Sequence, residues 1–123
     1  MTLIDTHAHI YYEDYADRID EIIQSAGENG VEKIISVGVD LASSEECVKL
    51  ADQYSSVFAT CGYHPHEAGK TPKGYLHELE QFYKHPKVVA VGEIGLDFHY
   101  NFSDPKIQNR VYQEQLEMAK ALE

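Results

Sequence analysis

Two histidines and an acid stand on alternate positions near the start of the chain: residues 4–10 read IDTHAHI, which spaces Asp5, His7 and His9 at period two. In an extended chain alternate side chains project from one face, so these three are expected to line one side of a short strand. Side-by-side imidazoles are costly unless a positive centre draws on their lone pairs, and neutral imidazole is among the commonest metal ligands. A second acid ends a different apolar run. In KVVAVGEIGLD, residues 87–97, Val89, Val91 and Glu93 share a face, so a carboxylate follows two valines expected to be buried. A buried, unpaired carboxylate takes up a proton or finds a cation. Two imidazoles and a carboxylate suit Zn²⁺, Mn²⁺ or a related divalent ion, and less obviously a hard ion such as Mg²⁺. His7, His9 and Glu93 are therefore the expected metal ligands.

Other polar residues also fall at run ends. GYHPH, residues 62–66, puts His64 beside Pro65 where it can contact a substrate phosphate, while His66 lies further along as either a pocket or a solvated residue. His99 is open in the same way. His77 and His85 fall in or after a helical pattern and read as surface residues. The GxxG within GEIGLD lacks the glycine spacing of a dinucleotide fingerprint.

The elements that must position these groups follow from periodicity. Four apolar runs recur, each followed by a helical pattern, which is the spacing of βα units. Leu3 to His9 comes first, then a helix from Tyr15 to Glu28 with Ile19, Ile22, Ile23 and Ala26 as its stripe, ended by Asn29-Gly30. Glu32 to Val39 is followed by a helix capped by Ser43 or Ser44, with Cys47, Val48, Leu50, Ala51 and Tyr54 inward. Val57 to Pro65 precedes a loop and a helix over Gly74 to Tyr83, which His85-Pro86 stops. After Lys87 to Asp97, Pro105 opens a helix whose expected apolar face is Val111, Leu116, Ala119 and Leu122. Strands apolar on both faces alternating with amphipathic helices predict one α/β unit, (βα)4, with a parallel sheet covered by helices and functional groups at the strand C-termini.

Composition narrows the partners. A net charge of −11 opposes broad attraction to nucleic acid, which relies on Lys and Arg. It leaves room for a phosphate held at a metal. No segment approaches the ~20 apolar residues of a bilayer span, and nothing after Met1 resembles a signal peptide, so a cytoplasmic protein without membrane contact is expected. Cys47 and Cys61 lack metal-type spacing and read as reduced, packed thiols.

Taken together, D-T-H-A-H at the start, GYHPH, GEIGLDF and the QNRVYQEQLEMAKALE helix resemble TatD-type deoxyribonucleases, metal-dependent hydrolases of the amidohydrolase superfamily. The resemblance covers the whole chain in order and spacing. It implies a (β/α)8 TIM-type barrel, of which this chain looks like the N-terminal half, and hydrolysis of phosphodiester bonds at single-stranded DNA ends. By motif position His7 and His9 resemble ligands of one metal, and Glu93 resembles a catalytic ligand bridging two. His64 and Asp97 resemble residues lining the substrate phosphate region. Family members are longer and take further His ligands and an Asp from later strands. On this reading the isolated chain is a half-barrel of doubtful activity, and its open sheet edges call for a homodimer or for pairing with the missing half-barrel. Two alternatives stand beside it: an inactive metal-binding or assembly module, and a phosphoesterase of the polymerase-and-histidinol-phosphatase type, which also begins D-x-H-x-H. Against the latter, the second run ends Val-Gly-Val-Asp without a further His.

Overall fold

Each apolar run becomes a strand of one sheet. The computed structural model describes residues 1–122. β1 (Leu3–Ala8), β2 (Val31–Val37), β3 (Val57–Cys61) and β4 (Val88–Val91) pair in parallel in the order β1-β2-β3-β4. Consecutive parallel strands need crossovers, and α1 (Ile19–Glu28), α2 (Leu41–Gln53) and α3 (Tyr75–Phe82) provide them, with α4 (Pro105–Ala121) after β4. These are the four βα units that the periodicity predicts. Among the described residues no helix is long and apolar enough to cross a membrane.

Several details differ from the sequence expectation. The segment before α1 is a 3₁₀ helix, Glu13–Arg18, and a second one, Pro65–Lys70, occupies what reads as a loop after β3. Pro65 starts the latter because its fixed φ suits a first helical turn. α2 is capped by Asp40 rather than by a serine: the Asp40 carboxylate accepts from the Ser43 N–H at 2.8 Å, and Ser43 Oγ accepts from the Asp40 N–H at 3.0 Å. That reciprocal capping box satisfies two donors at once.

Burial is concentrated in the middle of the sheet. Ile34 of β2 with Val57 and Ala59 of β3 packs against Cys47 and Ala51 of α2, Cys61 of β3 packs with Leu79 of α3 and with Val111 and Met118 of α4, and Val37 of β2 is buried as well. The edge strands are not covered. Leu3, Ile4 and Val89 are exposed, so the expectation of valines buried ahead of Glu93 is corrected: Val89 is 49% exposed. As the last strand of the sheet, β4 has no further strand beside it among the described residues.

The buried face of α4 also differs. It consists of Gln108, Val111, Gln115 and Met118, whereas Leu116 and Leu122 lie 43% and 48% exposed. These four follow a 3-4-3 spacing that keeps one stripe inward. The glutamines bury because the backbone of two loops requires their amides. Gln115 accepts from the Tyr63 N–H and donates to the Tyr63 carbonyl, and Gln108 accepts from the Asp97 N–H and donates to the Asp97 and Ser103 carbonyls.

Cys47 and Cys61 are free and fully buried. Burial pushes both thiols up to about 12. The thiolate is the reactive form, so a thiol-specific disulfide reagent should label neither residue in native buffer and both after unfolding. Rapid labelling of either in the folded protein would contradict this packing.

Candidate metal centre

The C-terminal ends of the strands form one rim, and backbone bonds continue across it beyond the strands themselves. Gly92 N–H donates to the Cys61 carbonyl, Glu93 N–H to Gly38, and His64 N–H to Val39, each at 2.9 Å. The crossing is tight at Gly62, where a Cβ would stand 2.9 Å from the Gly92 carbonyl carbon. Only glycine permits the β3 and β4 ends to approach this closely. That approach sets His64 beside Glu93.

Three side chains converge there. The Nε2 atoms of His7 and His9 lie 3.2 and 4.0 Å from the same oxygen, Oε2 of Glu93. One ligand atom from each of the three falls within 4.8 Å of the others. Asp5 does not join them. Its carboxylate turns back to accept from the His7 N–H at 3.1 Å, and β1 carries one extra residue between Asp5 and Ala8 relative to β2, which breaks the alternation.

Hydrogen bonding separates the roles of the imidazoles. His9 Nδ1 lies 2.9 Å from the Val37 carbonyl, which can only accept, so Nδ1 carries the proton and Nε2 keeps a free lone pair. That is the arrangement typical of a metal-ligating histidine, its other nitrogen held by a carbonyl. His64 is the reverse. Its Nδ1 accepts from the His66 N–H at 3.1 Å, so in the neutral ring Nε2 bears the proton, facing Glu93 Oε1 at 3.5 Å. Burial holds the His64 imidazolium below the ordinary histidine value, against the opposing pull of the Glu93 charge. His64 is thus a hydrogen-bond donor into the cavity, whereas His9 turns the lone pair of its Nε2 toward the rim.

The cavity over this rim measures about 320 Å³ and is lined by His7, His9, Tyr12, Val39, His64, His66, Glu67 and Glu93. None of these is Lys or Arg. Two soft nitrogen donors and a carboxylate fit a divalent ion of the Zn²⁺ or Mn²⁺ kind, and the Glu93 carboxylate can also be shared between two ions.

Asp97 does not line the cavity. Its carboxylate is hydrogen-bonded to His66 Nε2 and accepts from the His99 and Tyr100 N–H groups. The His66 bond, with those two amides, draws Asp97 down to about 2, well below the usual carboxylate value. Asp97 therefore orients His66, the residue that sequence reading left undecided. Their 31-residue separation hides the contact from any local pattern. Tyr12, stacked on His9 at 5.4 Å, and Glu67 are further cavity residues that carry no sequence signal. His77 and His99 are exposed, and His85 pairs with Asp52 away from the rim.

The chain matches the family model described as TatD related DNase over residues 4–123. It is 36% identical over 118 residues to a protein of Bacillus subtilis named as an uncharacterized metal-dependent hydrolase, YabD, covering 96% of this chain and 46% of that one. It is 34% identical over 120 residues to the 3'-5' ssDNA/RNA exonuclease TatD of Escherichia coli K12, covering 98% and 46%. The crystal structure of YjjV, a TatD homologue from Escherichia coli K12, superposes with a TM-score of 0.88 at 33% identity over 98% of this chain and 47% of that one. The chain spans about half the length of the curated relatives it matches.

Proposed function

The chain belongs to the TatD related DNase family, and on that premise we propose that it supplies the metal-binding strands of a hydrolase that cleaves phosphodiester bonds in DNA. The full reading is a 3'-to-5' exonuclease acting on single-stranded ends, working when a complete (β/α)8 barrel surrounds the site. The observation that carries it is the convergence of His7, His9 and Glu93 on one point of the rim. His7, His9 and Glu93 would hold a divalent ion, Mg²⁺, Mn²⁺ or Zn²⁺, which would supply Lewis acidity for a phosphodiester oxygen and acidity for water; a complete site would take two.

The chain's own residues contribute around that centre. The Val37 carbonyl fixes the His9 tautomer so that Nε2 faces the ion position. His64 directs its Nε2 proton into the cavity, where it donates to a phosphate oxygen without needing a positive charge of its own. Asp97 fixes the His66 ring at the cavity wall. Charge stabilisation in such reactions depends on several preorganised groups acting as a unit, and losing members costs orders of magnitude.

The open edges of β1 and β4, with exposed Leu3, Ile4 and Val89, favour a partner: a second copy or the strands of a complementary half-barrel. One experiment tests assembly and activity together. The chain is mixed with the portion of the Bacillus subtilis relative that it does not match, and light scattering reads whether the two co-assemble. Labelled single-stranded DNA and Mn²⁺ are then added. The assembled pair should shorten the strand from its 3' end far faster than this chain alone, and Glu93→Gln should stop it. A co-assembled, metal-loaded pair that leaves the strand intact contradicts the proposed activity. A chain that alone runs at 13.9 kDa at every concentration and never co-assembles contradicts the proposed partner.

A further inference from the structure

Beside the metal centre, the loop between β4 and α4 presents two aromatic rings to solvent. Tyr100 and Phe102 are 61% and 67% exposed, although their rings are parallel, with an interplanar angle of 2° and centroids 5.6 Å apart. This is offset stacking within the favoured range for aromatic pairs. Asn101 between them adopts φ 53°, the left-handed conformation that Asn tolerates better than most residues. That turn brings rings two positions apart onto parallel planes.

The pair is anchored to the cavity. The His66 ring packs edge-on against Phe102 at 4.8 Å and Tyr100 at 5.8 Å, and against His64 at 4.4 Å. Asp97 holds the same assembly, accepting from the Tyr100 N–H while binding His66. A continuous set of contacts thus runs from the parallel rings through His66 and His64 to Glu93.

We propose that Tyr100 and Phe102 form a stacking platform for a nucleobase whose adjoining phosphate sits at the His7–His9–Glu93 centre. This rests on the reading of that centre as a phosphodiester site. Charge makes such a platform necessary. The chain carries −11, and no Lys or Arg lines the cavity, so the usual cationic groove for a nucleic-acid backbone is missing there. Base–aromatic stacking supplies affinity without positive charge and is indifferent to sequence, because every base has a π face. It also selects single strands, since bases stacked within a duplex cannot reach an outside ring. A nucleotide with an unstacked base is the chemical unit that needs both features, an anion site and a neighbouring aromatic face.

The test measures binding of a labelled single-stranded oligodeoxyadenylate with phosphorothioate linkages, in Mn²⁺, to the wild-type chain. It is repeated with the double variant Tyr100→Ala/Phe102→Ala and the exchange Tyr100→Phe/Phe102→Tyr. The double alanine variant should bind about 10-fold more weakly or worse, the size of one lost base–aromatic stack. The aromatic exchange should bind as the wild type does. An abasic oligonucleotide should bind weakly to all three, and Mn²⁺ affinity should be unchanged throughout, which shows that the site itself is intact. Equal oligodeoxyadenylate affinity for the wild type and the double alanine variant overturns the platform. So does self-association of the chain that disappears in that variant while oligonucleotide binding stays the same, because the rings would then be serving a second copy. Binding that responds to the aromatic substitutions but not to removal of Mn²⁺ would instead contradict the phosphodiester reading of the metal centre.

Discussion

Glu93→Gln should weaken Mn²⁺ binding by at least about 100-fold, because even the outer-shell partners of metal ligands are worth roughly 10–100-fold in affinity. The substitution keeps the shape of the side chain and removes the charge toward which His7 and His9 both point. His9→Ala should act similarly, since it deletes the imidazole whose tautomer is already fixed for ligation. His64→Ala should have a much smaller effect, because its cavity-facing nitrogen carries a proton in the neutral ring. Calorimetric titration with Mn²⁺ reads these differences directly. Thermal unfolding gives a second reading: an ion that binds only the folded chain stabilises it by about 2.7 kcal/mol at 100 times its dissociation constant. The wild type should therefore melt higher with Mn²⁺, and Glu93→Gln should not. A Glu93→Gln chain that binds Mn²⁺ as the wild type does would remove this carboxylate from the centre.

Gln115→Ala should destabilise the fold by about 3 kcal/mol, a large part of the roughly 5–15 kcal/mol that holds a typical domain together. Gln115 is fully buried, and its amide pairs with both the N–H of Tyr63 at 2.7 Å and the carbonyl of Tyr63 at 3.1 Å. Alanine leaves two buried backbone groups without partners, each costing about 1–3 kcal/mol, and opens a cavity besides. Gln115→Glu sets a buried carboxylate against the Tyr63 carbonyl, so at neutral pH it should destabilise at least as much as alanine. Urea unfolding followed by circular dichroism measures the order. The same residue braces the segment from Gly62 to His64 that carries the rim, so Gln115→Ala should also loosen Mn²⁺ binding modestly at temperatures where the chain is still folded. A loss below 1 kcal/mol would mean that water or a neighbouring group satisfies Tyr63.

The strands, and the meeting of His7, His9 and Glu93 at one rim, are legible in the sequence because both depend on short-range rules. Apolar runs at βα spacing became four parallel strands, and H-x-H with the acid of GEIGLD met at one rim. The errors arose where a residue's environment is set by a distant part of the chain. Hydrophobicity places Leu116 and Leu122 on the buried face of α4, yet Gln108 and Gln115 occupy it, pairing with backbone at Asp97 and Tyr63. Strand periodicity alone puts Val89 inward, yet on the last strand of the described sheet it is exposed. Alternation groups Asp5 with the histidines, and an irregularity in the β1–β2 register interrupts it. Of the two serines that could cap α2, Ser43 takes part as the third helical residue of a capping box in which Asp40 is the cap. The His66–Asp97 contact joins two loops after different strands, and nothing in either loop's own sequence announces it.

The most direct test of the account is a crystal structure of the chain soaked with Zn²⁺ or Mn²⁺, with the ion located by its anomalous scattering. With Zn²⁺, His7 Nε2 and His9 Nε2 should lie at roughly 2.0–2.1 Å from the ion and a Glu93 oxygen at roughly 2.0–2.2 Å. The His9 Nδ1 to Val37 bond should be retained, and His64 should stay out of the coordination sphere. An ion held only by waters, with both imidazoles turned away from Glu93, would contradict it.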